Sequence, residues 1–356
     1  MLDSLAALFS GSKIAALDIG TSSVKLAEID MGARGPVLKK FAIYPLTEGM
    51  VTSGDITDIG AVSQSISALV KVAKCKRKNV AIALDGSSVI VKKISMPKMD
   101  DALVSEQIKW EAEQYIPFDI NEISLDHHIL KGRASAESME VLLVAVKQEV
   151  LFRAIESVEM GGLKCSLADV AGFALANCFE ANYGTSNEAV ALLNIGAGVT
   201  NFVVVERGEV VFCRDLVVGG DYYTNEIAKI MSVNTGEAEA LKISASLGQE
   251  APEDVASIIN GANEQVTDEI RNSFEFYAAT SAGSPSISRF YVSGGSMYLP
   301  GLVEQISKAV GTPFEQLNPF QRVGYDSKTL SPDYISQIQS VCPVALGLAM
   351  RKLGDR

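Results

Sequence analysis

The chain has 356 residues, 47% apolar and 21% charged, with 43 acidic against 31 basic side chains and a formal net charge of −12. A chain of that length and apolar content buries a large core in two or three domains, which excludes intrinsic disorder and a disulfide-stapled miniature scaffold. The acidic balance excludes a general nucleic-acid binder, and an anionic ligand would have to be held by local positive potential from helix N-termini or a few placed lysines.

Leu2, Leu5, Leu8 and Phe9 share one side of a short helix, which reads as a docking helix because it lacks the basic start and long apolar stretch of a signal peptide. No apolar run reaches the roughly 18–20 residues that span a bilayer. An apolar run from Lys13 to Leu17 breaks at Asp18-Ile19-Gly20-Thr21-Ser22-Ser23 and resumes from Val24 to Ile29, which predicts a hairpin. A block of β-α-β-β-α rhythm follows: strand Val89 to Ile94, amphipathic helix Asp100 to Tyr115, strands Glu122 to Leu130 and Met139 to Val146, and helix Glu149 to Met160. Aromatic residues on an amphipathic helix are usually core, so Trp110 and Tyr115 are expected inside. Pro97 and Gly161-Gly162 punctuate the block.

A strand from Lys164 to Val170 and a helix from Ala171 to about Asn182 lead to a second hairpin. There Ala189 to Leu193 runs into Asn194-Ile195-Gly196-Ala197-Gly198-Val199-Thr200-Asn201, followed by Phe202 to Val205. Superposed without a gap, Asp18 meets Asn194, Gly20 meets Gly196 and Leu26 meets Phe202, the mark of an internal duplication and two related lobes. Glu209 to Val218 is a further strand ending at Gly219-Gly220, and 221–282 is helical in pattern. Ser288 to Ser293 is a strand that stops at Gly294-Gly295-Ser296, Leu302 to Val310 is a helix, and a helix from Pro343 to Leu353 closes the chain.

Three strands thus end in small-residue turns, at Asp18 to Lys25, Asn194 to Thr200 and Gly294 to Ser296. Such turns let backbone amides approach a phosphate closely. One alone is usually only a turn, but three around a duplicated hairpin point to a nucleotide. Five widely spaced cysteines without a C-x-x-C pair read as free thiols in a reducing compartment. The two histidines, His127 and His128, are adjacent on a strand and point to opposite faces, so they do not chelate one zinc ion.

These residues resemble the actin, Hsp70 and sugar-kinase ATPase superfamily. Asp18 to Lys25 is similar to its first phosphate loop, Asn194 to Thr200 to its second, and Val292-Ser293-Gly294-Gly295-Ser296 with Pro300-Gly301 to its adenosine motif. Gly219-Gly220-Asp221 with Thr224-Asn225 resembles the turn into subdomain 2B of the division protein FtsA, and Ala238 to Lys242 the helix over the base. Within the inserted block, Glu106-Gln107-Ile108-Lys109-Trp110-Glu111-Ala112-Glu113-Gln114-Tyr115-Ile116-Pro117-Phe118 resembles the signature of the PilM family of type IV pilus assembly, and Pro343 to Arg351 its closing helix.

That resemblance implies a two-lobed α/β actin-like ATPase fold of duplicated ribonuclease-H-like domains. Its parts would be 1A (1–87, 164–187 and 333–356), an inserted 1C (88–163), 2A (188–220 and 285–332) and 2B (221–284). It implies ATP and Mg2+ between the lobes. Gly20, Thr21, Ser22, Ser23, Lys25, Gly196, Ala197, Gly198 and Thr200 would hold phosphate, although Lys25 reads equally as a solvated strand residue. Gly219, Gly220, Glu239, Lys242, Gly294, Gly295 and Ser296 would face the nucleoside. For Glu239 and Lys242 the plainer alternative is an exposed ion pair. Asp18 and, through water, Asn194 would face the metal, and Asp169 would align a water or else cap the helix from Ala171. Asn194 stands where active relatives carry Asp, so slow or absent hydrolysis is expected.

The implied role is a cytoplasmic scaffold at the inner face of the bacterial inner membrane. It would bind the N-terminal tail of PilN in a groove between 1A and 1C and link platform proteins to the pilus motor ATPases, with self-association. The rivals are an FtsA-like filament protein, which nucleotide-dependent sedimentation would favour, and a metabolite kinase, which substrate-stimulated ATP consumption would favour.

Overall fold

Strands β1 (Ala15–Ile19) and β2 (Ser23–Gly32) pair antiparallel with Asp18 opposite Lys25 and Ile19 opposite Val24, and the Gly20 amide closes their turn on the Ser23 carbonyl at 3.0 Å. The computed structural model in which this hairpin appears describes residues 13–33, 35–130, 137–249, 252–281 and 286–353, so the Leu2, Leu5, Leu8 and Phe9 stripe lies outside the described residues. β3 (Gly35–Pro45) extends the meander. After a short ribbon of β4 (Val51–Thr52) and β5 (Asp55–Ile56), helix α1 (Ile59–Val72) starts on an Asp58 cap. β6 (Asn79–Leu84) then lies parallel to β1.

Here the chain leaves the sheet. β7 (Val89–Pro97), α2 (Asp101–Tyr115), β8 (Ile123–Ile129) and β9 (Ser138–Lys147) build a separate antiparallel sheet, order β7-β9-β8, with its own core of Ile94, Met96, Val104, Ile108, Ala112, Val141 and Leu143. α3 (Gln148–Met160), β10 (Lys164–Val170) and α4 (Ala171–Tyr183) bring it back.

The second lobe repeats the plan with β11 (Ala189–Ile195), β12 (Thr200–Glu206) and β13 (Glu209–Leu216). Three helices follow, α5 (Gly220–Met231), α6 (Thr235–Ser246) and α7 (Glu253–Thr280), then β14 (Ile287–Ser293), α8 (Leu302–Val310) and β15 (Phe314–Gln316). Finally β16 (Gly324–Tyr325) joins the edge at β3, and α9 (Pro332–Ile338) and α10 (Pro343–Ala349) pack back on the first lobe, so the closing helix ends short of Leu353.

The duplication is visible bond by bond. The orders β3-β2-β1-β6-β10 and β13-β12-β11-β14-β15 match, with the same antiparallel and parallel joins. Asn194 faces Asn201 as Asp18 faces Lys25, and the Gly196 amide closes its turn on the Val199 carbonyl at 3.0 Å. Helices cover both faces of such sheets, which is why β12 is apolar and buried almost throughout rather than alternating.

Two expectations change. Trp110 is 72% exposed and Tyr115 43%, because α2 meets only a three-stranded sheet and buries the narrow stripe Val104, Ile108 and Ala112. Trp110 lies about 200° around the helix from Ile108. The second change concerns α3, placed within 1C by the sequence reading up to residue 163. Its Ala154 and Val158 join the core of the first lobe, and it stands between β6 and β10 as α8 stands between β14 and β15. The inserted unit therefore ends with β9, at Lys147. The five cysteines are unpaired, with Cys178, Cys213 and Cys342 buried.

Candidate functional site

A cleft of about 600 Å3 opens between the two hairpins, walled by Asp18, Gly20 to Ser23 and Lys25 from one lobe and by Asn194 and Gly196 to Gly198 from the other. The two turns touch: a Cβ at Gly198 would lie 2.5 Å from Thr21 Oγ1. Lys25 is turned into the cleft, its Nζ 3.0 Å from Asp18 Oδ2.

Gly294, Gly295 and Ser296 form a third wall. Gly294 has φ +93°, and a Cβ there would lie 2.2 Å from the Ile195 carbonyl oxygen, so the turn after β14 requires glycine. Its amide donates to the Ser340 carbonyl at 2.7 Å, which ties this turn to the segment leading into α10. Ser296 Oγ donates to the Gly196 carbonyl at 2.8 Å.

Glu239 and Lys242 line the cleft from α6, but not as an exposed pair. Lys242 is 8% exposed and its Nζ donates to the Gly220 carbonyl (3.1 Å), Thr224 Oγ1 (2.9 Å) and Glu239 Oε2 (2.6 Å).

Four expected residues lie elsewhere. Thr200 is fully buried and its hydroxyl donates to the Val218 carbonyl at 2.7 Å, pinning the end of the β13 segment instead of facing phosphate. Gly219 and Gly220 sit beneath the second turn, where a Cβ at Gly219 would lie 2.5 Å from the Gly196 and Ala197 oxygens. The Gly220 and Asp221 amides hold those same carbonyls at 3.0 and 2.8 Å, so the glycines support the turn. Asp169 is outside the cleft, with Oδ2 3.4 Å from an Arg351 guanidinium nitrogen, and its side chain does not cap α4. The order of the first sheet explains this, since β10 is the outer strand beyond β6, two strands from the hairpin turn.

In its place the structure brings in Asp85, which the sequence reading missed. The signal was present: Leu84-Asp85-Gly86-Ser87 is a fourth strand end running into small residues. Asp85 opens a polar floor that crosses the lobes. The Gly86 amide donates to Asp215 Oδ2 (2.9 Å), Asn201 Nδ2 to Asp215 Oδ1 (2.8 Å), Asn194 Nδ2 to Asn201 Oδ1 (2.9 Å) and Ser293 Oγ to Asn194 Oδ1 (3.1 Å). Both ends of the Asn194 amide are thus engaged, leaving only a second lone pair on Oδ1 for a metal-bound water.

Burial first, then the nearby Asp215 and Asp18 charges, hold the Asp85 carboxyl well above the usual carboxylate range. Burial likewise pushes Asp215 up to about 6 against its hydrogen bonds from Asn201 and Gly86. A raised folded-state value means that the folded protein binds the proton more readily than the unfolded chain. The resulting stability is full below about pH 4 and is lost as pH rises through about 6 and beyond. Asp85→Asn should therefore raise the melting temperature by several degrees at pH 8 and leave it nearly unchanged at pH 3.5. Equal shifts at the two pH values, in parallel thermal melts, would contradict this.

A second cavity, about 340 Å3, lies between the inserted unit and the first lobe, with Gly208 to Val210 of the second lobe's β12–β13 turn as a further wall. Ser124 to His128 of β8 and Leu167 to Val170 of β10 line it in unbroken sequence. Side chains alternate along a strand, so such runs line one cavity only where the strand presents its edge, and both strands end their sheets. His127 leans to Asp101 (3.1 Å) and His128 to Glu209 (3.6 Å), on opposite sides.

Known proteins show the same architecture. A PilM-PilN type IV pilus biogenesis complex contains a chain 29% identical that superposes with a TM-score of 0.86 over 97% of this chain and 100% of that one. EutJ, an ethanolamine utilization protein from Carboxydothermus hydrogenoformans, shares the fold at TM-score 0.57 and 16% identity over 95% of this chain and 89% of its own. FtsA of Streptococcus pneumoniae is 24% identical over 64% of this chain, and FtsA of Pseudomonas aeruginosa 22% over 67%. The matched regions span 54% and 62% of those two proteins. The fold is thus the two-lobed actin-like one, and the match of residues 16–353 to the type IV pilus assembly protein PilM family places the chain in that family.

Proposed function

We propose that the cleft binds ATP with magnesium and that the protein works as a nucleotide-binding scaffold of type IV pilus assembly with little or no turnover. The turn amides of the two hairpins and Lys25 would take the phosphates, Glu239 and Ser296 would face the nucleoside, and Asp18 would supply an oxygen ligand for a hydrated magnesium ion, with Asn194 reached through water. The carrying observation is the Asn194–Asn201 amide pair at the place where the first hairpin has the Asp18–Lys25 ion pair. It leaves the second lobe without a carboxylate for metal or water at that turn. Asp85, inclined by burial to keep its proton, is a poor base for an attacking water.

In the same reading, the groove between β8 and β10 receives the N-terminal tail of a PilN protein as an added strand. Its lining carries Asp126, Asp169 and Glu209 against Arg351, which suits a tail bearing a terminal ammonium and the cytoplasmic lysines and arginines that flank a membrane span. None of the described helices is long and apolar enough to cross a membrane, and attachment at the inner face of the inner membrane would come through that tail. Contacts to motor ATPases, to other platform proteins and to further copies complete the proposal.

Titration calorimetry tests it. A synthetic PilN tail should bind the wild-type chain and fail with Leu167→Asp, while ATP with magnesium binds both. No heat at millimolar ATP, or equal tail binding by the groove variant, would overturn it.

A further inference from the structure

Helix α4 gives the groove between β8 and β10 two side chains, Phe173 and Asn177, one turn apart on the same face. The acidic groups of that lining already have partners: Asp169 has Arg351 at 3.4 Å, Glu209 has His128 at 3.6 Å, and Asp126 accepts from the His127 amide at 2.8 Å. Asn177 differs from them. Its Nδ2 is cut off from solvent and meets no hydrogen-bond acceptor among the described residues.

The same helix shows how a buried carboxamide is ordinarily satisfied. Asn182 donates from Nδ2 to the Cys178 carbonyl at 2.9 Å and accepts at Oδ1 from the Arg322 and Val323 amides at 3.0 and 3.1 Å. A buried N–H without an acceptor lowers stability, and leucine at position 177 would occupy a similar volume beside Phe173 without that cost. An acceptor that arrives from outside the free protein accounts for the amide.

We infer that Asn177 reads the backbone of the docked tail, Nδ2 donating to a carbonyl of the tail and Oδ1 accepting the N–H of the same tail residue. The inference rests on the tail docking in this groove as proposed above. In an extended chain both backbone groups of every second residue point to one side, and those of the residues between point to the other. Addition to a strand edge satisfies one side only. A carboxamide carries a donor and an acceptor in one plane, which is the complement of the other side. The terminal torsion of asparagine is broad, so both ends can turn to the groove. Such a contact selects an extended backbone and is indifferent to the tail's side chains.

The test is titration calorimetry with the full chain and the synthetic tail, including tails in which one peptide N–H at a time is replaced by an ester oxygen. Asn177→Leu should weaken tail binding by about tenfold, leave ATP binding unchanged, and keep or raise the melting temperature because it removes an unpaired buried donor. One ester, in the register opposite to those that pair with the strand edge, should cost the wild-type chain a similar factor and cost Asn177→Leu nothing further. Wild-type affinity in Asn177→Leu, or an ester scan that costs both proteins equally at every position, would overturn the contact while Leu167→Asp still abolishes binding. A lowered melting temperature for Asn177→Leu would give the amide a structural role and overturn it too. Tail binding that survives Leu167→Asp would overturn the docking itself, and this contact with it.

Discussion

Alanine at Gly347 should destabilise the protein by about 3 kcal/mol, whereas alanine at Gly261 should stabilise it by up to about 1 kcal/mol. Both glycines are inside helices, where alanine is the better helix former, so propensity alone gives the two changes one sign. Their surroundings separate them. A Cβ at Gly347 would stand 1.7 Å from the Ala174 carbonyl oxygen and 2.9 Å from the Cys178 amide nitrogen, backbone atoms of α4 that cannot swing aside. A Cβ at Gly261 meets nothing within 4 Å. Close approach of α10 to α4 thus depends on the missing methyl group, and thermal melts of the two variants should move in opposite directions. A stable Gly347→Ala protein would show that the helices separate without loss.

The second large effect concerns the nucleotide. Gly198→Val should weaken ATP binding by about 100-fold, the equivalent of roughly 2.7 kcal/mol. Its added carbons would enter the space of Thr21 Oγ1, 2.5 Å from the ideal Cβ, and wedge apart the two turns that would share the phosphates. Gly198 carries no positive φ, so the penalty comes from the neighbour and not from the backbone. Thr21→Gly in the same chain should then recover much of the affinity. Calorimetry with ATP and magnesium measures both, and no recovery in the double variant would mean that the valine acts on something other than the Thr21 contact.

What could be read in the sequence was whatever repeats locally. The two hairpin turns announce themselves by spacing, and the Gly294 turn by composition. α1 was passed over because Ser63 and Ser65 are among its buried residues, with hydroxyls satisfied by the Gly60 and Ala61 carbonyls, so its inner face reads as polar. In β3, Lys39 and Lys40 sit between buried Leu38 and Phe41, and a bulge opposite Glu28 and Ile29 breaks the alternation that marks a strand. Trp110 was expected inside because its helix is amphipathic, but the width of the sheet it packs on is a tertiary fact. Asp85 stands at a strand end that composition could have flagged, but its setting comes from burial beside Asp18 and Asp215, the latter 130 positions further along the chain and across the interface between lobes. Asp169 was misplaced for a related reason: the step from β1 through β6 to β10 decides which strand end reaches the cleft, and pattern does not report sheet order.

The seat of α10 also sets a schedule for synthesis. The first lobe's core runs from Ile14 to Ala349, and Val344, Leu346 and Leu348 lie buried within it. A ribosome adding about 5–20 residues per second has made the whole sheet of that lobe except β16, then takes about 10–30 s to deliver the second lobe and the helix that closes the first. The usual order, in which the N-terminal unit folds first, is closed to this protein. Its first lobe waits with an apolar face uncovered while the second lobe, continuous from Ala189 to Gln316, can close beforehand. The newborn chain would be most vulnerable to aggregation in that interval, and a holdase that recognises exposed β-sheet faces would find it there.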